Sequence, residues 1–218
     1  MKKVTMKKIT VFLLSAVFAV SCMGLTACGG SEEEAQSEEQ TTEATQEETA
    51  APTQSWGEYG YAGEDPVEGA VYEYMVTEIS KQYELEEGMV SIPVVTVIDR
   101  VDNEDGSADV AGLFEIDNYT VEGDTLACQS GGSYPGKMHL VKDGESYKVE
   151  SFDQVGDGSN YEPTAKKIFG DKYDAFVKAD GDDEARNALR TETIKNYVEA
   201  NGLEVTQYQD YGWDPVQL

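Results

Sequence analysis

The sequence predicts an α+β fold: a long N-terminal helix packed on a curved antiparallel sheet, with extra helices toward the C-terminus. Three observations predict it. Apolar residues recur every four positions at Val67, Val71, Met75, Ile79 and Tyr83. Between Met89 and Val155 the apolar period changes to two, interrupted by short Gly- and Asp-containing turns. After Gly156-Asp157-Gly158 helical spacing returns and persists to Gly202. A helix, then a run of strands, then more helices is the order of an α+β domain.

Each element has its own signal. Asp65 offers an N-cap, Pro66 fits the first helical position, and Glu68 completes a capping box. Ala70 and Tyr74 widen the apolar face, and Gly88 ends the helix. The strand Met89–Val101 contains Pro93, which cannot donate to a ladder and so marks an edge strand or a bulge. Asp102–Gly106 is a turn, Ala108–Val121 a strand, Glu122-Gly123-Asp124 a tight turn, and Thr125–Gln129 a strand. Ser130-Gly131-Gly132-Ser133 reads as a bulge or loop. Lys137–Val141 and Ser146–Val155 form a hairpin about Lys142-Asp143-Gly144. Tyr147, Val149 and Ser151 share one face of that last strand, Lys148 and Glu150 the other. Helices follow at Pro163–Phe169, Tyr173–Lys178 and Asp182–Ala200, the last with Ala185, Leu189, Tyr197 and Val198 on one face and Gly202 as its stop. Leu203–Tyr208 adds a short strand.

The N-terminus is an address. Lys2, Lys3, Lys7 and Lys8 precede an apolar run, Ile9–Val20, and then Leu25-Thr26-Ala27-Cys28. A charged region, a short apolar region and small residues at a cleavage site make a secretory signal over residues 1–27. The run is too short for a convincing spanning helix. Leu25-Thr26-Ala27-Cys28 resembles the lipobox of bacterial lipoproteins. The resemblance implies diacylation of the Cys28 sulfur, cleavage before it, and anchorage on the outer face of the cell membrane, of Gram-positive type. Two acyl chains hold stably where one binds only marginally. Cys22 is a rival site, preceded by Ala19-Val20-Ser21; an uncleaved anchor is the other alternative.

Residues 28–64 read as an acidic, disordered tether. From Gly29 through Asp65 the chain has eleven acidic residues and no Lys or Arg, so the segment cannot bury enough apolar surface to order itself. Trp56, Tyr59 and Tyr61 interrupt it, either packing on the domain or forming a sticky segment. Residues 65–218 are then one domain: a core over 65–155, a helical extension over 160–202 and a short tail. The mature chain keeps twelve basic against 43 acidic side chains, a net charge of −31. That charge repels nucleic acid and anionic headgroups, and attracts cations and basic partners. Cys128 is the one thiol left, so no internal disulfide forms and the core alone must hold the fold. No base lies near Cys128 in sequence, which reads as a buried, inert thiol.

Gly136-Lys137-Met138-His139-Leu140-Val141-Lys142-Asp143-Gly144-Glu145-Ser146-Tyr147-Lys148-Val149-Glu150-Ser151-Phe152 resembles the last hairpin of NTF2-like domains. With the preceding helix it suggests the cystatin-like, NTF2-like cone over about residues 66–155. The helices after residue 160 depart from that family, and cover the open side of the sheet or fill the cone mouth. The resemblance implies acid–base groups in the cone: His139, the only histidine, with Asp99, Tyr119 and Tyr134 as partners by strand position.

Other chemistries are missing. Asp102–Asp109 and Asp153–Gly158 lack the ligand pattern of a calcium loop. One histidine and one free cysteine exclude a zinc site of the usual kind. There is no phosphate-binding Gly-Lys-Ser/Thr loop and no Gly-x-Ser-x-Gly elbow, and no cofactor or metal is expected. Tyr208, Tyr211 and Trp213 either stack on a sugar or peptide, or tie down the tail. The expectation is a membrane-anchored, non-enzymatic domain that binds a small ligand, peptide or envelope protein. The alternatives are a cone-pocket isomerase- or dehydratase-like enzyme using His139, and a structural envelope lipoprotein.

Overall fold

A computed structural model describes residues 57–218. The signal, Cys28, Trp56 and most of the acidic segment lie outside the described residues. Helix α1 spans Pro66–Tyr74. The Asp65 carboxylate accepts from the Val67 and Glu68 amides, and Pro66 sits in the first turn. Glu68 does not return the bond to the cap, as a capping box would; it accepts from the Tyr61 hydroxyl at 2.6 Å instead. The helical path continues past α1 as a π turn, Met75–Ile79, and a 3-10 turn, Ser80–Gln82. Spacing by fours had suggested one regular helix.

Seven strands form one curved, mixed sheet among the described residues: β1 (Val90–Asp102), β2 (Ala108–Glu122), β3 (Thr125–Ser133), β4 (Gly136–Asp143), β5 (Ser146–Gln154), β6 (Gln207–Gln209) and β7 (Val216–Gln217). The long β2 is the hub. It pairs along one edge with β1; its other edge is shared between β4 near the start and β3 near the end. β1 pairs with β2 alone, which places Pro93 on an edge strand as its chemistry requires. The sheet is not wholly antiparallel. β6 returns after the C-terminal helices and lies parallel to β3, because a helical connection, unlike a tight turn, can bring the chain back in the same direction.

Bulges bend the ladder at three places. One lies in β1 between Val97 and Asp99. A second lets β3 continue through Ser130–Ser133 as a strand rather than a loop. The third falls in β5, where His139 faces Ser151 but Leu140 faces Val149. The inserted Glu150 shifts the phase of β5, so Tyr147, Val149 and Phe152, not Ser151, meet the core. Gly144, at φ 67°, makes the β4–β5 turn.

The two faces of the sheet carry different helices. Val110, Phe114 and Ile116 of β2 pack with Met138 and Leu140 beneath α1. Ala111 and Leu113 meet helices α2 (Tyr161–Phe169) and α3 (Tyr173–Asp180) on the other side. Tyr119 meets Ile194, Tyr197 and Val198 of helix α4 (Asp183–Asn201). Asp182 caps α4 and Gly202, in the left-handed region, ends it. Fully burying each large apolar side chain contributes roughly 1.5–3 kcal/mol. Residues 57–64, assigned from sequence to the tether, lie against this domain: Tyr59 stacks on Tyr72 and Tyr197, and Tyr61 on Tyr72.

Candidate functional site

The period of two puts Ala111, Leu113, Glu115, Asp117 and Tyr119 on one face of β2. The apolar members at either end pack on α2, α3 and α4. Between them, two carboxylates face α4. The facing residues of α4 are Arg186 and Arg190, four apart and in line with Ile194, which is buried. Ala185, expected on the inward face, is exposed. The helix therefore turns two guanidinium groups inward where its sequence had suggested only apolar side chains.

The contacts are close and unevenly shared. Arg186 Nη1 lies 3.3 Å from Glu115 Oε1, and its Nη2 donates to Asp183. Arg190 Nη1 donates to Asp210 Oδ2 at 3.0 Å, and its Nη2 lies 3.9 Å from Glu115. Arg190 Nε is 3.2 Å from Asp117 Oδ2, but the two are not aligned as a hydrogen bond. Glu115 is 7% exposed. Burial pushes the Asp117 carboxyl up to about 6; Arg190 opposes this, and the negative Asp210 and Glu115 add to it. Burial also opposes the charge on Arg190, but the surrounding acids, Asp117 foremost, raise it.

Among the described residues, five buried side-chain polar atoms have no hydrogen-bond partner: Asp117 Oδ2, Tyr119 Oη, Arg186 Nε, Arg190 Nε and Asp210 Oδ1. All five belong to this cluster. An unmatched buried polar group costs about 1–3 kcal/mol; Asp117 Oδ2 and Arg190 Nε offset part of that as an ion pair 3.2 Å apart, and the other three have no such partner.

A cleft of about 720 Å³ opens above the cluster, between α4 and the C-terminal segment. Glu115, Arg186, Arg190 and Asp210 form part of its lining, and Trp213 and Asp214 stand at the chain's end of it. Trp213 is 76% exposed and lines this cleft, whereas Tyr211, 93% exposed, does not. Tyr208 is buried, its hydroxyl 3.1 Å from that of Thr191, and so holds the tail in place. Of the three C-terminal aromatics, buried Tyr208 and exposed Trp213 both line the cleft, and Tyr211 is bare surface.

The residues suggested for acid–base chemistry do not converge. His139 lies on the face opposite α1, half-buried beside α2. Its Nδ1 is 2.6 Å from Asp109 and its Nε2 3.3 Å from Asp153. Burial works against protonation, but Asp109 and then Asp153 outweigh it and raise the imidazole. Asp99 sits 3.6 Å from Lys172, and Tyr134 shares a hydroxyl contact with Tyr83 at 2.7 Å. Tyr119 is wholly buried under α4. Cys128 is half-buried, and burial, with Asp117 and Asp210 adding, pushes its thiol up to about 12. A thiol there is un-ionised and a poor nucleophile.

Comparison with family models, with curated proteins and with solved structures finds no match. Sequence reasoning missed Glu115, Asp117, Arg186, Arg190 and Asp210. The usable signal was a strand face reading Ala-Leu-Glu-Asp-Tyr at alternate positions, with an arginine pair four apart on the stripe of Ile194.

Proposed function

We propose that this chain is a lipid-anchored, extracytoplasmic binding domain, and that its ligand seats in the cleft between α4 and the C-terminal segment. The observation that carries the binding site is that three of the five unmatched buried polar atoms among the described residues, on Arg186, Arg190 and Asp210, belong to residues lining that cleft, with Asp117 behind Arg190. Leu25-Thr26-Ala27-Cys28 supports the address. The acidic stretch after Cys28 supports a spacer between lipid and domain. The placement of α1 across β2, β4 and β5 supports a relationship to the cystatin-like, NTF2-like cone. Helices α2–α4 on the opposite face, and the parallel β6, are additions to it.

His139 favours a second reading, acid–base catalysis, through its contact with Asp109. Both imidazole nitrogens, however, face carboxylates. That arrangement favours the protonated ring and leaves no free lone pair for a base. Binding is therefore the stronger reading.

Native mass spectrometry of the full chain, extracted from its membrane in mild detergent, tests the proposal. A bound small molecule or peptide is expected on the acylated protein, and its occupancy falls in Trp213→Ala and in Asp214→Asn. Equal occupancy in both variants refutes the cleft. An unacylated, membrane-free wild-type chain refutes the anchor at Cys28.

A further inference from the structure

Resting on the reading of this cleft as a binding site, we infer that its ligand carries a cationic amine or guanidinium group, packed against Trp213 and held by the carboxylates of the cleft. The charge balance argues for it. Glu115, Asp183, Asp210 and Asp214 line the cleft against two guanidiniums, Arg186 and Arg190. Asp117 adds a further carboxylate behind Arg190. Both arginines donate from their Nη atoms to Glu115, Asp183 and Asp210; their Nε atoms are unmatched but buried, that of Arg190 lying 3.2 Å from Asp117, so the accessible part of the cleft offers little to an anion. The surplus is negative, and low-dielectric walls concentrate its field.

The geometry supplies the other half. The Glu115 side chain is about nine-tenths buried at the floor of the cleft. The Asp210 Oδ1 atom is buried with no donor. Trp213 stands at the opening with most of its surface in solvent. An exposed indole beside carboxylates is a good seat for a cation, since the ring face attracts positive charge and the carboxylates accept its N–H groups. A neutral sugar would gain from the indole but would leave the surplus charge unanswered. An anion would meet net repulsion. The chemistry is shared by two sources: a free polyamine, and a lysine or arginine side chain of a peptide.

The full chain carrying Trp56→Phe, which leaves Trp213 as its only indole, tests this in detergent at about 0.15 M salt, where long-range attraction to the acidic surface is screened. The probes are spermidine, a blocked pentapeptide with two lysines, the same peptide with both lysines acetylated, and a neutral pentasaccharide. We expect saturable quenching of Trp213 by at least one amine probe, at one site per chain. Acetylation should weaken peptide binding about tenfold or more. Quenching by spermidine alone assigns a free polyamine, and by the lysine peptide alone a peptide.

Asp214→Asn should weaken the amine probe several-fold, whereas Glu145→Gln, an exposed carboxylate outside the cleft, should not. Both residues are exposed, so folding is not at stake. Equal loss in the two variants overturns the inference, because the attraction is then only the general field. Binding of the pentasaccharide or the acetylated peptide in preference to the amines overturns the cation but leaves the cleft standing. No response to any probe overturns the cation too, and native mass spectrometry of the Trp213 and Asp214 variants then decides the cleft separately.

Discussion

The two faces of β2 were made from the same alternating strand and ended differently. One face carries Val110, Phe114 and Ile116 into an apolar core beneath α1. The other carries Glu115 and Asp117 into a buried contact with Arg186 and Arg190. The first face leaves no unmatched polar atom among the described residues; the second gathers all five. The difference separates two kinds of design. Apolar packing is non-directional and settles wherever area is removed from water. A buried charge cluster costs desolvation and is repaid only by good geometry, which this one lacks at Asp117. The face that is worse for stability is therefore the face where binding is to be sought.

Two substitutions should separate the faces. Phe114→Ala, which removes a ring stacked edge-on to Phe152 and wholly buried, should cost about 3–5 kcal/mol in urea unfolding. That cost should be the same at pH 7 and at pH 4, because no titrating group touches the loss. Arg190→Ala should cost about 3 kcal/mol at pH 7, since it leaves Glu115, Asp117 and Asp210 facing one another without their shared cation. Its cost should shrink as the pH falls and Asp117, raised to about 6, takes up its proton. A pH-independent Arg190→Ala would erase the contrast between the faces.

Much of the α1 face was legible in the sequence, and little of the α4 face was. Spacing by fours at Val67, Val71, Met75 and Ile79 names residues that are all buried, because hydrophobic period reports burial directly. Asp65 and Gly202 were legible for the same reason: caps are local chemistry. The phase of β5 was not, since a bulge at Glu150 leaves no mark in composition. The parallel β6 was not either, because strand direction depends on where the intervening helices dock. The charge cluster was hidden by the rule that made the core visible. Arg186 and Arg190 look like the solvent face of α4 until Glu115 and Asp117, 71 and 73 positions earlier, supply the partners. The surroundings of His139 were hidden similarly: Asp109 and Asp153 reach it through strand pairing and side-chain placement that no local spacing reveals.

Asp117→Asn gives the finest test of the difference between the faces. In the folded chain this carboxyl is raised from an ordinary 3.8 to about 6, by burial above all. A raised acid binds its proton more tightly folded than unfolded. Its stabilising contribution is therefore full below about pH 4 and is lost as the pH rises through about 6. That difference amounts to roughly 3 kcal/mol at most. Wild type also contains other carboxylates, so the useful quantity is wild type minus variant. Asp210 and Glu115 remain to face Arg190 in the variant, so no guanidinium is left alone. The difference in melting temperature between the two proteins should favour wild type at pH 4 and swing toward Asp117→Asn by pH 7, with its midpoint between those values. A swing in the opposite direction would mean that Arg190 holds Asp117 as a well-matched ion pair. The α4 face would then be as settled as the face beneath α1.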